Sequence, residues 1–243
     1  MEIRLVGTGS IGAVQSSAST LVNKKILIDM PNGIVKRLKQ FGENVLNIDI
    51  VLITHLHGDH YFDIPFFILE KYFYKIKEKT TIYGPKDTAR KVKKLFELAF
   101  PGEYKKIMNN IDIEFIEFKE LKNEKLDNDI YVDSVLVDHG KCKPAYGYLL
   151  KENSRNVGFS GDSKMCEAID YIVQNSIVSV LDMSFAENIN HAHMGLHDIE
   201  RICDKYKEKT IITTHMQDYT RNEAKNKNIK NLIVPDDGQI INI

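Results

Sequence analysis

The sequence predicts a mixed α/β fold, and three observations support this. Short apolar runs alternate with longer amphipathic stretches along the whole chain. The 243 residues are 43% hydrophobic and 28% charged, a balance that is ordinary for a globular protein and excludes a disordered chain. No linker, low-complexity tract or internal repeat divides the sequence. Because an α/β domain of this length is common, we expect a single domain over residues 1–243.

The first half of the chain is rich in predicted strands. Apolar runs predict strands at 3–6, 20–22, 25–28, 48–54 and 80–83. Apolar residues at helical spacing predict helices at 32–41, 64–74 and 86–99. Pro65 stands in the first turn of the second of these helices, where proline is well tolerated.

The second half mixes strands and helices. Strands are predicted at 111–118, 130–137, 178–181 and 210–214, and helices at 166–174 and 196–206. Runs at 146–150 and 156–160 predict a hairpin around Glu152-Asn153-Ser154. At the end of the chain, Asp236-Asp237-Gly238 predicts a second hairpin within 232–243.

Charge and cysteine content exclude several classes of protein. The 33 basic and 34 acidic residues give a net charge of −1, so the chain as a whole is neither a basic nucleic-acid clamp nor an acidic tail. Three cysteines without a CxxC pair exclude a disulfide scaffold and a four-cysteine zinc site. The sequence has no signal-peptide pattern and no membrane-length apolar stretch, so we expect a cytoplasmic protein with no membrane partner.

Three of the eight histidines fall in the run His55-Leu56-His57-Gly58-Asp59-His60. The run begins where the predicted buried strand at 48–54 ends. Ligands of α/β proteins collect beyond the carboxyl ends of strands, and histidine is the commonest metal ligand. A single histidine is more often a core or surface residue, but a compact run at a strand end indicates a metal site.

Three more candidate ligands lie at predicted strand ends, and these are His139, Asp162 and His215. The candidates are the five imidazoles of His55, His57, His60, His139 and His215 and the two carboxylates of Asp59 and Asp162. Seven donors are too many for one tetrahedral zinc ion and suit two divalent metals, either zinc or, alternatively, manganese or iron. Two such ions, two carboxylates and a bound hydroxide leave a charge near +1, which favours an anionic substrate such as a phosphodiester.

These segments resemble the metallo-β-lactamase superfamily. HLHGDH is followed by VDHG, FSGD and TTH, and the resemblance runs from Gly7-Thr8-Gly9-Ser10 to Asp237-Gly238. It implies a four-layer αβ/βα sandwich with a two-metal site along one edge. It further implies that the first metal is held by His55, His57 and His139, and the second by Asp59, His60 and His215. Asp162 would bridge the two metals, and Asp59 would orient or deprotonate the attacking water.

A second histidine segment, His191-Ala192-His193-Met194-Gly195, is similar to one in ribonuclease Z-like phosphodiesterases. In those enzymes a histidine contacts the scissile phosphate and protonates the leaving oxygen, the role of a general acid. We assign that role to His193, which immediately precedes the Met-Gly start of a helix, and keep His191 as the alternative. His197 is predicted to lie on the helix surface.

The same resemblance bears on the substrate. Ribonuclease Z inserts a tRNA-gripping arm between the segments that correspond to Gly147-Tyr148 and Gly161-Asp162, where this chain has only a short hairpin. A small anionic phosphodiester, such as a cyclic nucleotide or short RNA, is therefore favoured over tRNA. A ribonuclease Z-type tRNA 3′ endonuclease and a thioesterase or lactonase of the same fold remain alternatives. Analogy to dimeric relatives suggests a homodimer.

Two more distant alternatives remain. Gly7-Thr8-Gly9-Ser10-Ile11-Gly12 fits the GxGxxG fingerprint of an NAD-linked oxidoreductase. The Ser/Thr-rich stretch at 15–20 is a poor helix former, however, and the fingerprint requires a helix there. The other alternative is a non-catalytic, metal-dependent sensor, and the full set of seven ligands argues against it.

Overall fold

The computed structural model describes residues 1–127, 129–187 and 192–243. Fourteen strands are described in this part of the chain. They are β1 Glu2–Gly7, β2 Ser19–Val22, β3 Ile26–Ile28, β4 Ile50–Leu52, β5 Thr80–Pro85, β6 Ile113–Phe118, β7 Glu124–Asp127, β8 Ile130–Leu136, β9 Tyr146–Glu152, β10 Arg155–Phe159, β11 Val178–Asp182, β12 Thr210–Thr214, β13 Leu232–Ile233 and β14 Ile240–Asn242.

The part of the chain that the structure describes contains eight α-helices, which occur in both halves of the sequence. They are α1 Ile34–Gln40, α2 Gly58–Tyr61, α3 Ile64–Phe73, α4 Thr88–Ala99, α5 Tyr104–Met108, α6 Glu167–Gln174, α7 Leu196–Lys205 and α8 Asp218–Asn226. A short 3-10 helix covers Val45–Asn47. The longer apolar-faced helices begin and end within a few residues of their predicted bounds.

The strands form two seven-stranded sheets. The first has the order β14-β1-β2-β3-β4-β5-β6, and the second has the order β13-β12-β11-β10-β9-β8-β7. Strands β3 to β6 are parallel, as are β10 to β13, and the remaining neighbours pair antiparallel. The carboxyl ends of β8, β10, β11 and β12 therefore point to the same edge of the second sheet.

Three apolar clusters hold these layers together. A central cluster between the sheets contains Leu5, Leu52 and Val180. A second cluster packs α1, α3 and α4 on the outside of the first sheet, and a third packs α6 and α7 on the outside of the second. The apolar faces of the helices are therefore buried against the sheets, as the burial of apolar surface requires. The predicted four-layer αβ/βα sandwich is confirmed.

Two hydrogen bonds join the sheets beside the histidine run. The backbone N–H of Tyr146 donates to the carbonyl of Thr54 at 3.0 Å, and the Tyr148 hydroxyl donates to the carbonyl of Ile53 at 2.6 Å. Ile53 and Thr54 connect β4 to His55. These contacts therefore fix the histidine run against the edge of the second sheet, where the other candidate ligands lie.

The predicted hairpin at the end of the chain is wrong. Strand β13 pairs with β12 in the second sheet, whereas β14 pairs with β1 in the first. The Asp237 carboxylate between them accepts hydrogen bonds from the backbone N–H groups of Thr8 and Ser16, at 3.0 and 2.9 Å. Asp236-Asp237-Gly238 does form a tight turn, in which the N–H of Gln239 donates to the carbonyl of Asp236 at 3.2 Å, but this turn carries the chain from one sheet to the other.

The glycines of the GxGxxG run open no helix. The described residues between Gly7 and β2 form turns and bends. A Cβ atom on Gly7 would lie 2.0 Å from the Ser17 carbonyl oxygen, and one on Gly9 would lie 2.6 Å from that of Gln15. These glycines allow a loop to fold back on itself, and the dinucleotide fingerprint lacks its helix. In the part of the chain that the structure describes, every helix is too short or too polar to cross a bilayer.

Candidate metal centre

The three residues predicted to hold the first metal lie together at the meeting edge of the sheets. His55 follows β4, His57 precedes α2, and His139 follows β8. Nδ1 of His57 lies 3.1 Å from Nε2 of His55 and 3.1 Å from Nε2 of His139. A zinc ion at about 2.0–2.1 Å from three tetrahedral nitrogens would hold them roughly 3.3–3.4 Å apart. The three nitrogens are thus already near ligating distance.

Hydrogen bonds on the outer side of two of these rings fix their tautomers. The Thr54 hydroxyl donates to Asp29 and so accepts from Nδ1 of His55 at 3.0 Å. Nδ1 of His139 donates to the carbonyl of Ala192 at 2.9 Å. In the neutral form of both rings, Nε2 is therefore the nitrogen that carries the lone pair. Nδ1 of His57 lies between these two Nε2 atoms and can donate a proton to only one of them. The cluster therefore needs an electrophile such as a metal ion to satisfy both lone pairs.

The residues predicted for the second metal are gathered around Asp162. Oδ2 of Asp162 lies 3.2 Å from Nε2 of His60 and 3.3 Å from Nε2 of His215. Oδ2 of Asp59 lies 3.5 Å from the same nitrogen of His215. Both Nε2 atoms are buried and lack a hydrogen-bond partner. Because unpartnered buried polar atoms are rare, the two rings are arranged for a ligand between them.

Asp162 lies asymmetrically between the two groups of ligands. Its Oδ2 is 3.8 Å from Nε2 of His55 and 3.9 Å from Nε2 of His139, farther than from His60 and His215. The structure therefore brings all seven predicted ligands together, with the predicted bridging carboxylate between the groups.

Three outer residues that we did not predict position the second group. Nδ1 of His60 donates to Oδ2 of Asp29 at 2.8 Å. The Ser184 hydroxyl donates to Asp182 and accepts from Nδ1 of His215 at 2.7 Å. Such outer partners orient a metal-binding ring and aim its other nitrogen inward. Asp29 and Asp182 each lie at a strand's carboxyl end, the position that identified Asp162, and this signal could have found them.

The backbone at the site adopts conformations that constrain residue choice. Gly161 has φ +58°, and a Cβ there would lie 2.7 Å from the carbonyl oxygen of Tyr146. Asp29 and His215 have φ angles of 59° and 57°, which are unusual for residues with a side chain. Both side chains belong to the site, as expected where backbone strain is retained for function.

Electrostatics separate the two groups of imidazoles. Burial and the neighbouring imidazoles lower the pKa of His55 well below its ordinary value and also lower the pKa of His57. Burial opposes protonation of His60 and His215 as well, but the surrounding carboxylates raise the pKa of both. Burial likewise disfavours the charged form of Asp162, yet His215 and His60 hold its pKa well below the usual range. Without a metal, protonation is therefore favoured on the imidazoles of the second group, His60 and His215.

His193 lies beside the second group without belonging to it. Its Nδ1 is 2.7 Å from Oδ2 of Asp182 and 4.0 Å from Oδ2 of Asp162. Its ring stacks on His215 with centroids 5.1 Å apart and an angle of 7° between the planes. His191 lies outside the described residues. His197 is exposed on α7 and faces Glu200, as predicted for a helix-surface residue.

The donors present fit divalent metals. Imidazole nitrogens and carboxylate oxygens converge in two groups, and four of the five rings are fixed by outer hydrogen bonds. This is the ligand chemistry that zinc, manganese and iron accept. Among the described residues, the groups able to hold a metal also include Cys142 beside His55, His57 and His139, and Asp182 and His193 beside Asp162 and His215.

Comparison with known proteins places the chain in a family. The family model described as Anti-Pycsar protein Apyc1 matches residues 1–237. The chain belongs to this family. It is also a member of the metallo-β-lactamase superfamily, as the sequence resemblance predicted.

Curated relatives carry the name ribonuclease Z. Ribonuclease Z of Thermococcus kodakarensis is 31% identical over 166 residues, which cover 65% of this chain and 49% of that protein. The chain thus spans about half the length of the curated relatives that it matches first.

Solved structures share the fold over the full chain. Human tRNase Z, short form, superposes with a TM-score of 0.79 at 17% identity and covers 100% of this chain and 99% of its own. The metallo-β-lactamase fold protein YhfI of Bacillus subtilis gives a TM-score of 0.77 at 15% identity, covering 99% and 98%. At these identities the likeness establishes the fold alone.

Proposed function

We propose that this protein is a metal-dependent phosphodiesterase that uses two divalent metals, zinc in the first instance, to hydrolyse a small phosphodiester such as a cyclic nucleotide or short RNA. The observation that carries the proposal is the convergence of five imidazoles and two carboxylates, with two buried Nε2 atoms left without partners beside Asp162. Membership of the superfamily and the relatives named ribonuclease Z support the hydrolase class.

The ligand groups divide as the sequence resemblance implied. His55, His57 and His139 would hold one metal, Asp59, His60 and His215 the other, and Asp162 would contact both. When bound, the metals supply a water of lowered pKa and positive charge opposite the phosphate oxygens. With two carboxylates against four positive charges, the site selects an anionic substrate.

Asp59 is placed to handle the attacking water. Helix α2 carries it next to His60, and its Oδ2 lies 3.7 Å from Nε2 of His60 and 3.5 Å from Nε2 of His215. Burial favours the neutral carboxyl, but those imidazoles outweigh it and lower the pKa of Asp59. An ionised carboxylate at this point accepts a hydrogen bond from water, orients it and takes up its proton.

His193 is the proposed general acid. Asp182 accepts the hydrogen bond from Nδ1, which leaves Nε2 to face a substrate. Burial disfavours a charged imidazole there, but the Asp182 carboxylate raises the pKa of His193 above its ordinary value. A ring that keeps its proton near neutral pH can donate it to the departing oxygen and stabilise the charged transition state.

The region between β9 and β10 supports a small substrate. The two strands are joined by a turn at Asn153 and Ser154, and the structure describes every residue from 146 to 162. No tRNA-gripping arm is inserted there. With a net charge of −1, the chain also lacks the excess of basic residues that is typical of tRNA binders. The curated relatives favour one competing function, that of a ribonuclease Z-type tRNA 3′ endonuclease.

The experiment is hydrolysis by metal-free protein reconstituted with Zn²⁺, Mn²⁺ or Fe²⁺ against a chelated control. Bis(p-nitrophenyl) phosphate tests the reaction class, and a cyclic nucleotide set beside a precursor tRNA tests the substrate. We expect metal-dependent cleavage of the first two and little cleavage of the tRNA. Cleavage of the tRNA alone would favour the ribonuclease Z alternative. Turnover of thioesters or lactones alone would overturn the phosphodiesterase proposal, and binding without any turnover would indicate a sensor.

A further inference from the structure

One potential ligand, the thiol of Cys142, is left unused by the proposed two-metal centre. The loop after β8 brings it to the site: Gly140 has φ +60°, and the backbone N–H of Cys142 donates to the carbonyl of His139 at 3.1 Å. This turn folds the half-buried cysteine back over His139.

The sulfur shares a cluster with the first three imidazoles. The ligating atoms of His55, His57, His139 and Cys142 all lie within 4.8 Å of one another. A tetrahedral zinc with nitrogens at about 2.0–2.1 Å and a thiolate at about 2.3 Å would hold these atoms roughly 3.3–3.6 Å apart. A movement of about 1 Å would therefore close the four side chains around one ion.

The cluster has an independent need for a ligand. The hydrogen bonds to Thr54 and Ala192 leave the inward nitrogens of His55 and His139 as lone pairs, and His55 is fully buried. Asp162, the carboxylate predicted to bridge, lies closer to the second group, so the first group has room for another donor.

We propose that Cys142 is a further protein ligand of the first metal, beside the three histidines and the more distant Asp162. This inference rests on the metal centre of the proposed function. Four protein ligands with a thiolate are typical of a tightly held metal, whereas three with an open position are typical of a catalytic one. The first metal would then stabilise the structure and supply positive charge. The coordination positions open to water or substrate would lie on the second metal.

Co²⁺ is a direct probe because a cobalt–thiolate bond adds a charge-transfer band in the near ultraviolet. Metal-free wild-type protein, Cys142→Ser and Cys166→Ser are each loaded with Co²⁺ alone, and their spectra are recorded. Cys166 is the matched control, because it is partly exposed and its thiol contacts Ser163, not the imidazoles. We expect the near-ultraviolet band in wild type and Cys166→Ser and its loss in Cys142→Ser, with visible cobalt bands in all three.

The spectra distinguish the ways in which the proposal can fail. Visible cobalt bands without a near-ultraviolet band in wild type would exclude Cys142 as a metal ligand, while still supporting a metal centre built from the imidazoles. No cobalt uptake would overturn both this inference and the metal centre. If Cys142→Ser does not fold, alkylation of wild type replaces it. Zn²⁺ should slow modification of Cys142 at least about tenfold and leave Cys166 unchanged. Equal rates at Cys142 with and without Zn²⁺ would contradict the proposal.

Discussion

The two halves of the metal centre differ in how they are built. The first half, His55, His57 and His139, consists of imidazoles close to one another, and burial lowers the pKa of His55 and His57. The second half, Asp59, His60 and His215, surrounds its imidazoles with carboxylates, which raise the pKa of both rings. The first half thus offers imidazole lone pairs to a metal. The second half carries protons that a metal must displace.

The difference shows how each half obtains its charge balance. In the first half, neutral rings and a candidate thiol can accept a metal with little rearrangement of charge. In the second, Asp162, Asp29 and Asp59 provide negative charge that protons balance until a metal replaces them. A metal in the second half would therefore depend more on the local charge and pH, and this is the half beside His193.

Replacing the carboxylate between the halves should have the largest effect. Asp162→Ala should lower kcat at least about 10³-fold, because the second metal loses its nearest carboxylate and the transition state loses that metal's charge. Metal analysis should fall from two ions per chain to one, held by the first half. Asp170→Ala, in an exposed pair with Lys205, is the control and should change neither value. Retention of both metals by Asp162→Ala would contradict the proposed difference between the two halves.

Replacing His193 tests the acid beside the second half. His193→Ala should keep both metals and lower kcat about 10²–10³-fold for a substrate with an alkoxide leaving group. For a p-nitrophenolate leaving group, which needs no proton, the loss should be about tenfold or less. His197→Ala, on the exposed face of α7, should be silent. Equal losses for both leaving groups would argue for a structural role, and loss of metal would make His193 a ligand.

Asp29→Asn tests whether the outer carboxylate serves only the second half. Asparagine keeps the size of the side chain and tolerates the positive φ of 59° at this position. The second metal should bind about 10–100-fold more weakly, because His60 loses its charged acceptor. The first metal should weaken less, because Asp29 reaches His55 only through the Thr54 hydroxyl, and a two-step titration would show the difference. Equal weakening of both steps would mean that the halves are not independent.

The smallest effect concerns protons released on metal binding. His60 and His215 have raised pKa values, so metal binding to the second half should release protons near neutral pH. The second affinity should therefore rise with pH until it passes those raised pKa values. His55 and His57 have lowered pKa values and should release none. Calorimetry in buffers of different ionisation enthalpy measures the difference, and equal release from both halves would contradict it.

The sequence predicted which histidines and carboxylates lie together better than it predicted the residues that support them. His55 to His60 form a local run, and His139, Asp162 and His215 share a recognisable position after strands. Ser184 and Cys142 reach the site through contacts between distant segments. Local patterns of apolar residues do not encode such contacts, so these residues emerged only from the folded chain.

The errors in the fold have similar causes. Helix α8 was not predicted because its sequence is polar, and only Thr220, Arg221 and Ala224 are buried. Strand β7 was missed because Glu124–Asp127 is a short, charged edge strand. The final hairpin was predicted from a local turn signal, whereas the carboxylate of Asp237 binds Thr8 and Ser16 far away in sequence. The local turn forms, but tertiary contacts place the two flanking strands in different sheets.

The most direct test of the two-halved centre is a crystal structure of the metal-loaded protein with anomalous scattering at the zinc edge. We expect two peaks per chain. One should lie within about 2.0–2.3 Å of ligating atoms of His55, His57 and His139, and the other beside Asp59, His60 and His215, with Asp162 between them. A single peak, or a peak held by a different set of residues, would contradict the account.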